Sequence, residues 1–598
     1  MSRVKILPEE LANQIAAGEV VERPASVVKE LVENALDASA RSISVLLEKS
    51  GKDRIRVADD GVGMDAQDAR LALARHATSK LQAASDLSRI ATLGFRGEAL
   101  PSIASVSHLN LRTRDESSPA GCELVVEAGK LVREGQIGLP RGTVVDVRRL
   151  FFNVPARRKF LRADVTESSH IASQMSMLAA AYPGVHFRLE HRAKVVLDTP
   201  AVATRRERLY QLEGAWVEGA VSLDESVGGL RLTAWLSPPA ESRGAASRVH
   251  LFVNGRPVKD RILTHAVLEA YRQVSSKQGT PLLYLFLELA PEKLDVNVHP
   301  AKMEVRFVDQ RFIHDAVFSV VRNALHGEGR APALAAGSEW VPHRDATGSP
   351  WKTVPLMPSR VGEGVPAYAS GAALAEAVFG YPQQETSVRT QVFTEFAETS
   401  PTPLGQFRES FILATDQDSV WLIDQHAAHE RILYEGLLAR PGQAGQTGQA
   451  GQECREQQLL LTPLQLELSA AEQITLEEEI ARIQLYGFDI EHFGGKSYII
   501  RAVPAALSGL DAGQLVRAAL AEREQDCPGS SIAEAEGRIA ARLACHAAIK
   551  VNTSLAPEKI RFILDRLWKA RQPTVCPHGR PTTLRLGRDQ IEKNFGRI

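Results

Sequence analysis

The segment from Pro24 to Ala38 constrains the fold of this chain more than any other stretch. Pro24 and Ser26 favour the first turn of a helix, so the pattern predicts a helix that begins here. At about 100° per residue, the apolar side chains of this helix fall on one arc of its surface. These apolar residues are Val27, Val28, Leu31, Val32, Ala35 and Ala38. The helix must therefore pack that arc against a core.

Three polar residues follow the edge of the apolar arc, namely Glu30, Asn34 and Asp37. Two carboxylates and an amide beside a buried face cost free energy unless they are paired or have a task. Glu33 is predicted to lie further round the helix, towards solvent. From this helix alone, a salt-bridged helix edge and a functional site explain the pattern equally well.

Glycine-bearing turns follow the helix along the chain. Asp59 ends an apolar strand and is followed by Gly61 and Gly63. Residues 92–100 form a second glycine-bearing turn that opens a helix, and residues 142–146 form a glycine-led strand. The two Gly-Lys candidates for a P-loop lack its spacing, so phosphate binding of that kind is not supported.

These segments resemble the four ATP-binding motifs of the GHKL ATPases. The matching segments are Glu30-x-x-x-Asn34-x-x-Asp37-Ala38, Asp59-x-Gly61-x-Gly63, Gly94-Phe-Arg-Gly-Glu-Ala-Leu100 and Gly142-Thr143. Residues 15–24 and 75–80 narrow the resemblance to the MutL family of DNA mismatch-repair proteins. The match is dense through residues 1–165.

The resemblance implies an ATPase that uses Mg²⁺. It implies that Asn34 coordinates Mg²⁺, that Glu30 positions and deprotonates the attacking water, and that Asp59 accepts a hydrogen bond from the adenine amino group. Backbone amides around Gly94 and Gly97 are expected to cradle the phosphates, because N–H groups at a helix start attract anions. Phosphoryl transfer of this kind depends mostly on positioning and charge neutralisation.

Further contacts follow from the same resemblance. The other nucleotide-binding residues that it implies are Gly61, Gly63, Thr143 and Lys302. Lys302 is expected to sense the γ-phosphate from a second domain and so to couple ATP occupancy to domain orientation. Arg256 follows the predicted hairpin turn at Asn254-Gly255 and is implied to help hold DNA. Without the resemblance, an exposed arginine at this position would be read as simply solvated.

The whole chain has the composition of an ordinary soluble protein, with 44% apolar and 24% charged residues among 598. Its net charge of −1 gives no overall attraction to nucleic acid, so any DNA contact must come from local basic patches. Five cysteines argue against a disulfide framework and predict a cytoplasmic protein. The resemblance to the MutL family implies a bacterial, nucleoid-associated one. We expect neither a signal peptide nor a membrane span.

We predict a multidomain protein of α/β and α+β class. The predicted parts are a GHKL ATPase sandwich (1–204), a second, transducer-like α/β domain (205–330), a flexible linker (331–402) and a C-terminal α/β dimerisation and metal-binding domain (403–598). The linker is predicted because alanine, glycine, proline and serine dominate it without periodicity.

A second chemical site is indicated in the C-terminal part. Asp424, His426 and Glu430 lie at the start of a predicted helix, where positions 426 and 430 share a face, and Cys576 and His578 follow much later. Thiolate, imidazole and carboxylate ligands together suit Zn²⁺ or a similar transition metal. The alternative is a structural zinc site without catalysis, which seldom needs oxygen ligands.

Together the two clusters resemble the endonuclease site of those MutL proteins that nick DNA themselves. The resemblance implies Zn²⁺ and/or Mn²⁺, catalytic roles for Asp424 and Glu430, and Cys545 as a further ligand beside His426, Cys576 and His578. One motif departs from the family, since the usual Ala-Cys-Arg reads Ala544-Cys545-His546 here. This departure puts the contribution of the arginine in doubt.

The resemblance also implies partners: DNA bound mostly without sequence preference, a MutS-like mismatch-recognition protein, a replication sliding clamp and a second copy of the chain. The segment from Gln458 to Pro463 resembles the sliding-clamp contact, although a core strand explains it equally well. The expected function is ATP-dependent mismatch repair with strand nicking. The alternatives are a matchmaker that recruits a separate nuclease, and an ATP-gated clamp of the chaperone or gyrase type.

Overall fold

The computed structural model describes residues 21–75, 77–80, 93–94, 97–239, 248–274, 281–295, 305–326, 400–438, 456–521 and 532–595, with the side chains of 532–536 excepted. Lys302 and residues 331–399 of the predicted linker lie outside the described residues. Within the described ranges, no helix is both long enough and apolar enough to cross a membrane.

The N-terminal part is an eight-stranded sheet covered by helices. Its strands are β1 (Ser42–Glu48), β2 (Arg54–Asp59), β3 (His108–Arg114), β4 (Gly121–Glu127), β5 (Lys130–Ile137), β6 (Gly142–Arg148), β7 (His186–His191) and β8 (Lys194–Thr199). Its helices are α1 (Pro24–Asp37), α2 (Ala66–Leu71), α3 (Ala99–Ser105), α4 (Pro155–Lys159), α5 (Asp164–Ala181), α6 (Arg205–Glu213) and α7 (Trp216–Gly219). A short 3-10 turn occupies Lys49–Gly51.

The strand order is β5-β4-β3-β6-β2-β1-β7-β8, and the β1–β7 pair alone is parallel among these neighbours. Buried and half-buried residues alternate along β3, which is the pattern of a sheet that packs one face on a core. The predicted first helix is present as α1, with Pro24 at its first turn. Val27, Val28 and Val32 of α1 are fully buried in that core, as the apolar arc requires.

The second domain is a five-stranded sheet in the order β12-β11-β13-β10-β9. Its strands are β9 (Val221–Val227), β10 (Leu230–Leu236), β11 (Arg248–Val253), β12 (Arg256–Val258) and β13 (Leu282–Glu288), with a small ribbon of β14 (Leu294–Asp295) and β15 (Arg306–Phe307). Its helices are α8 (Arg261–Val274) and α9 (Gln310–His326), with a 3-10 turn at Pro291–Lys293. The predicted hairpin is confirmed, because Val253 pairs with Arg256 across Asn254 and Gly255, which both have positive φ.

The C-terminal part contains two sheets. The first has the order β16-β17-β18-β22 and the second the order β19-β21-β20. The strands are β16 (Thr402–Phe407), β17 (Phe411–Thr415), β18 (Ser419–Asp424), β19 (Gln457–Glu467), β20 (Asp489–Gly494), β21 (Ser497–Pro504) and β22 (Thr583–Gly587). The helices are α10 (Gln425–Leu438), α11 (Ala470–Leu485), α12 (Ala512–Leu520), α13 (Ile532–Ala547), α14 (Pro557–Trp568) and α15 (Arg588–Asn594), with a 3-10 turn at Ala505–Leu507. The mixed α/β class predicted for this chain is confirmed.

Helix α11 lies against α5 of the N-terminal part. Ala470 and Ile474 of α11 are buried within the N-terminal core. Nearby, Arg248 pairs with Glu213 at 2.7 Å and Arg517 pairs with Glu472 at 2.6 Å, beside a cavity of about 290 Å³. Charges removed from water in this way need such partners, so breaking one pair costs more than losing an exposed ion pair.

A substitution at Gly142 tests how closely the backbone of β6 packs against that of β2. Its φ is +126°, and a Cβ there would stand 2.1 Å from the carbonyl oxygen of Asp59, whereas a Cβ at Gly138 meets nothing within 4 Å. We expect Gly142→Ala to lower the free energy of unfolding by about 1–3 kcal/mol or more, because strain and a backbone clash add. Urea unfolding of both variants measures this, and equal losses in Gly142→Ala and Gly138→Ala contradict the packing described.

Candidate functional site

The polar stripe of α1 is joined to two later segments of the chain. Asp37 accepts hydrogen bonds from the N–H groups of Leu93 and Gly94, each at 2.9 Å. The ammonium of Lys80 lies 2.5 Å from Asp37 Oδ2 and 3.0 Å from Asn34 Oδ1. The stripe therefore fixes the start of the glycine-bearing turn and holds a cation beside the amide of Asn34.

Glu30 and Glu33 are both buried, with 9% and 4% of their surfaces exposed. The prediction that Glu33 faces solvent is wrong: its carboxylate lies 3.4 Å from the Nζ of Lys29, in a pair that is itself almost buried. The side chains of Glu30 and Asn34 stand one turn apart on the same face of α1. The structure thus brings the predicted pair together.

Asp59 stands at the end of β2, opposite Thr143 of β6. Its Oδ1 accepts the N–H of Gly61 at 2.9 Å. Burial raises the pKa of Asp59 to about 6, although backbone hydrogen bonds from Gly61 and Thr143 oppose the rise. With this pKa, the carboxyl group is mostly ionised at neutral pH and can accept a hydrogen bond from a bound donor. Gly63 lies in the same turn.

Gly94 and Gly97 allow the glycine-bearing turn at residues 92–100 to lie close to Asn34 of α1 and to the segment around Ala77. A Cβ at Gly94 would stand 3.1 Å from Lys80 Nζ and 3.4 Å from Asn34 Oδ1. Gly97 has φ of +63°, and its Cβ would meet the carbonyl oxygen of Ala77 at 2.4 Å. Any side chain at either position would therefore crowd the space beside Asn34 or displace the backbone.

Arg256 reaches this region from the second domain. It is only 6% exposed, and its Nη1 donates to the carbonyl oxygen of Leu93 at 3.4 Å. Burial lowers the pKa of Arg256, while carboxylates of α1, that of Glu33 foremost, oppose the shift. This buried place differs from the exposed one that a DNA contact requires. Binding of DNA by Arg256 stays a prediction, and the observed contact joins the second domain to the glycine-bearing turn.

A group of three side chains in the C-terminal part has the geometry of a metal site. The ligand atoms of Glu430, Cys545 and His578 all lie within 4.8 Å of one another. His578 Nδ1 is 2.8 Å from Glu430 Oε1. Glu430 belongs to α10 and Cys545 to α13, and His578 lies in the turn before β22, so three distant segments build the group. We call these residues the C-terminal cluster.

The carboxylate of Glu430 fits a bound cation. Glu430 is 2% exposed, and its Oε1 receives no hydrogen bond of acceptable geometry from the described residues. Burial tends to raise the pKa of Glu430, but the adjacent His578 imidazole and two thiols outweigh it, so the pKa is lowered. A buried, ionised carboxylate beside an imidazole and a thiol is a donor set that suits Zn²⁺ and related metals.

His426 and Asp424 stand beside the C-terminal cluster in different roles. His426 Nδ1 lies 2.8 Å from the carbonyl oxygen of Ile549, and since a carbonyl only accepts, Nδ1 donates. A hydrogen bond with Cys545 raises the pKa of His426. Asp424 Oδ1 instead accepts the N–H groups of His426 and Ala427 at 2.9 and 3.0 Å, which caps α10. The predicted metal and catalytic roles of Asp424 stay predictions.

The Cys576 turn presents His578 to the C-terminal cluster. Cys576 is 2% exposed, its N–H donates to Arg580 at 2.8 Å, and its Sγ accepts the N–H of His578 at 3.4 Å. Burial, as the largest cause, raises the pKa of the Cys576 thiol. Cys576 thereby orients the turn, and its thiol is one of the neighbours that lower the pKa of Glu430.

Two further residues of α10, Arg431 and Glu435, hold this turn in place. Arg431 Nε donates to the carbonyl oxygen of Val575 at 2.6 Å. Glu435 accepts the N–H groups of Arg571 and Gln572 at 2.7 and 3.2 Å. Arg431 belongs to no motif of the sequence, so only the position of the distant turn reveals its task. His546, the departure from the family motif, is half-buried next to Cys545 but outside the C-terminal cluster.

The segment from Gln458 to Pro463 lies on β19, which is an edge strand of its sheet. Leu459 is 65% exposed and Leu461 is fully exposed, and the pairing with β21 shifts register between Leu459 and Leu464. The alternative of a core strand is therefore wrong. Exposed leucines on an edge strand are a surface suited to a partner.

Three family models match successive parts of the chain. Residues 22–137 match the histidine kinase-, DNA gyrase B- and HSP90-like ATPase domain. Residues 211–326 match the C-terminal domain model of DNA mismatch repair proteins, and residues 404–555 match the MutL C-terminal dimerisation domain. Together the three matches follow the order of the sheets described above.

Curated relatives match over their full length. The DNA mismatch repair protein MutL of Koribacter versatilis is 39% identical over 659 residues, covering 100% of both chains. That of Syntrophotalea carbinolica is 39% identical over 634 residues, covering 100% of this chain and 99% of the relative. A solved structure of the Aquifex aeolicus MutL ATPase domain complexed with ADP is 30% identical and covers 50% of this chain and 98% of that one, with a TM-score of 0.36. On the strength of the full-length relatives, this chain belongs to the MutL family of DNA mismatch repair proteins, with a GHKL-type ATPase domain and a MutL C-terminal domain.

Proposed function

We propose that the chain is an ATP-dependent homodimeric clamp that couples mismatch recognition to metal-dependent nicking of the strand to be repaired. The observation that carries the nicking part is the C-terminal cluster of Glu430, Cys545 and His578. An oxygen ligand in such a donor set is common in catalytic metal sites and rare in purely structural zinc sites. The buried Oε1 of Glu430 supports the same reading.

In the ATPase step, the residues of α1 have separate tasks. Asn34 would hold Mg²⁺, and the ion would supply charge neutralisation at the phosphates. Glu30 orients the attacking water and takes its proton, and burial keeps this carboxylate away from bulk solvent. Asp37 does not touch the reacting atoms: it holds the N–H of Gly94 and the ammonium of Lys80 beside Asn34. Lys302 is proposed to complete the site from the second domain.

In the nicking step, the C-terminal cluster together with His426 and Cys576 is proposed to hold Zn²⁺ or Mn²⁺. A divalent transition metal in such a site supplies Lewis-acid chemistry for phosphodiester hydrolysis. The Ile549 carbonyl fixes the His426 tautomer, so that the other ring nitrogen faces Cys545. A hydrogen bond of this kind orients a ligand and increases its basicity.

The proposed partners are DNA, a MutS-like mismatch-recognition protein, a second copy of the chain and the replication sliding clamp. The clamp contact is proposed for Gln458 to Pro463, and the exposure of Leu459 and Leu461 supports it. A matchmaker that recruits a separate nuclease is the alternative function. It differs in one testable property, because it does not nick DNA with any divalent metal.

Nicking of supercoiled plasmid with Mn²⁺ tests the proposed nuclease. We expect Glu430→Gln to reduce nicking by at least about 100-fold, because it removes a charged oxygen ligand from a buried site. The matched control is Glu558→Gln, which neutralises an exposed carboxylate of the same domain and should leave nicking unchanged. If the unchanged protein does not nick even with ATP and sliding clamp, the matchmaker alternative holds.

Glu30→Gln tests the assignment of the ATPase base. We expect ATP to remain bound while turnover falls by about 10²–10⁴-fold, the usual contribution of a positioned general base. Glu33→Gln is the matched control, since Glu33 is a second buried carboxylate of α1 and lies beside Lys29. Steady-state hydrolysis and nucleotide binding are measured for both. Normal turnover in Glu30→Gln, with loss in Glu33→Gln, would reverse the assignment.

Asp59→Asn tests the cost of burying the adenine-facing carboxylate. Since the pKa of Asp59 in the folded protein is about 6, above its ordinary value of 3.8, the charged form opposes folding at neutral pH. We expect the variant to bind ATP poorly yet to be more stable at pH 7 without nucleotide, by about 1–3 kcal/mol. This difference should shrink as pH falls from about 6 towards 4, where the native carboxyl takes up a proton. Denaturation at several pH values measures it, and a variant less stable than the unchanged protein at pH 7 contradicts the argument.

A further inference from the structure

A second cluster of metal-ligating side chains lies on the second domain, far along the chain from the C-terminal cluster. His265 and Glu269 stand one turn apart on α8, and His314 lies on α9. We call these three residues the helix-pair triad. None of the nucleotide, DNA or nuclease roles proposed above uses it.

Packing of α8 on α9 brings the helix-pair triad together. The inner faces of the two helices are apolar and buried, including Ala266 and Val267 on α8 and Val317 on α9. The helix-pair triad lies at the outer edge of this contact. The side chain of His265 is 62% exposed, that of Glu269 38% and that of His314 26%. An ion from solvent can therefore reach all three side chains without any movement of the core.

The two histidines of the helix-pair triad are within hydrogen-bond distance, but both of their distances to Glu269 are too long for a hydrogen bond. His265 Nδ1 and His314 Nε2 are 3.2 Å apart, and each lies 3.6 Å from Glu269 Oε2. A separation of 3.6 Å is too long for a hydrogen bond. Ligands about 2.05 Å from a tetrahedral Zn²⁺ stand about 3.3 Å from one another, a value that follows from the bond length alone. The three atoms therefore form a nearly equilateral triangle of the size that one ion requires.

Asp315 supplies the outer contact that metal-bound histidines use. Its Oδ1 lies 3.1 Å from His314 Nδ1. Because an ionised carboxylate only accepts, His314 donates from Nδ1 and turns the lone pair of Nε2 towards His265 and Glu269. A histidine that donates its other ring N–H to a carboxylate is the usual arrangement at protein metal sites.

We propose that the helix-pair triad binds one Zn²⁺ through two nitrogens and one carboxylate oxygen, with water in the fourth position. Bound there, the ion links α8 to α9 and replaces the weak contacts between their exposed side chains. The site belongs to the second domain and does not depend on whether the protein nicks DNA. Its metal is held by nitrogen and oxygen alone, whereas the C-terminal cluster includes the sulfur of Cys545, and this difference makes the two sites separable by spectroscopy.

The test uses the full chain carrying Cys545→Ser and His578→Gln, which disable the C-terminal cluster. After equilibration with zinc, we expect this background protein to retain one Zn²⁺ per chain. Adding His265→Gln or His314→Gln should abolish that binding, whereas His326→Gln, an exposed histidine at the end of α9, should retain it. Asp315→Asn should weaken zinc binding by about 10–100-fold, since it alters only the orienting contact. A purely structural Asp315 would leave the affinity unchanged.

Cobalt substitution identifies the ligands independently. The background protein loaded with Co²⁺ should show visible bands of tetrahedral cobalt without a thiolate charge-transfer band. The proposal is overturned if the background protein binds no more zinc than its His314→Gln variant. It is also overturned if a thiolate band appears and survives His314→Gln, because the metal is then held by cysteine elsewhere. ATP hydrolysis at the unchanged rate in each variant shows that the protein remains folded.

Discussion

The carboxylate of Asp37 is the interaction on which the nucleotide half of this protein depends. It sits at the end of a helix whose other face is buried, and it accepts two backbone N–H groups from the segment at Leu93 and Gly94 while it pairs with Lys80. A carboxylate at the margin of a core is stabilised only when such donors surround it. The same donors place the glycine-bearing turn beside Asn34. The hydrogen bonds of Asp37 therefore both stabilise the edge of α1 and shape the site.

In the C-terminal cluster a buried carboxylate also needs neighbouring groups that stabilise its charge, but the neighbours are of a different kind. Glu430 is more deeply buried than the carboxylates of most proteins, and its neighbours are an imidazole and thiols rather than lysine or arginine. The supporting contacts come from α10 itself, through Arg431 and Glu435, which hold the turn that carries Cys576 and His578. The imidazole of His578, 2.8 Å away, is the main group that stabilises this buried charge.

The region around Leu93 and the edge strand β19 differ in how much of their surface is exposed to solvent. Arg256, from the second sheet of the chain, is buried and donates to the carbonyl oxygen of Leu93. Its contact therefore lies in the same segment whose N–H groups Asp37 accepts. By contrast, the edge strand β19 is largely exposed. It leaves Leu459 and Leu461 in solvent, where a partner can cover them.

The local elements follow from the sequence alone: α1 and its polar stripe, the hairpin at Asn254-Gly255, and the ligand types near His426 and His578. Each depends on neighbours a few residues apart, where periodicity and turn chemistry decide the conformation. Other features depend on long-range packing: Glu33 is buried beside Lys29, Arg256 is buried, Asp424 caps α10, and His314 faces His265. Such facts depend on which distant surfaces pack together, and one-dimensional patterns carry no direct record of that packing.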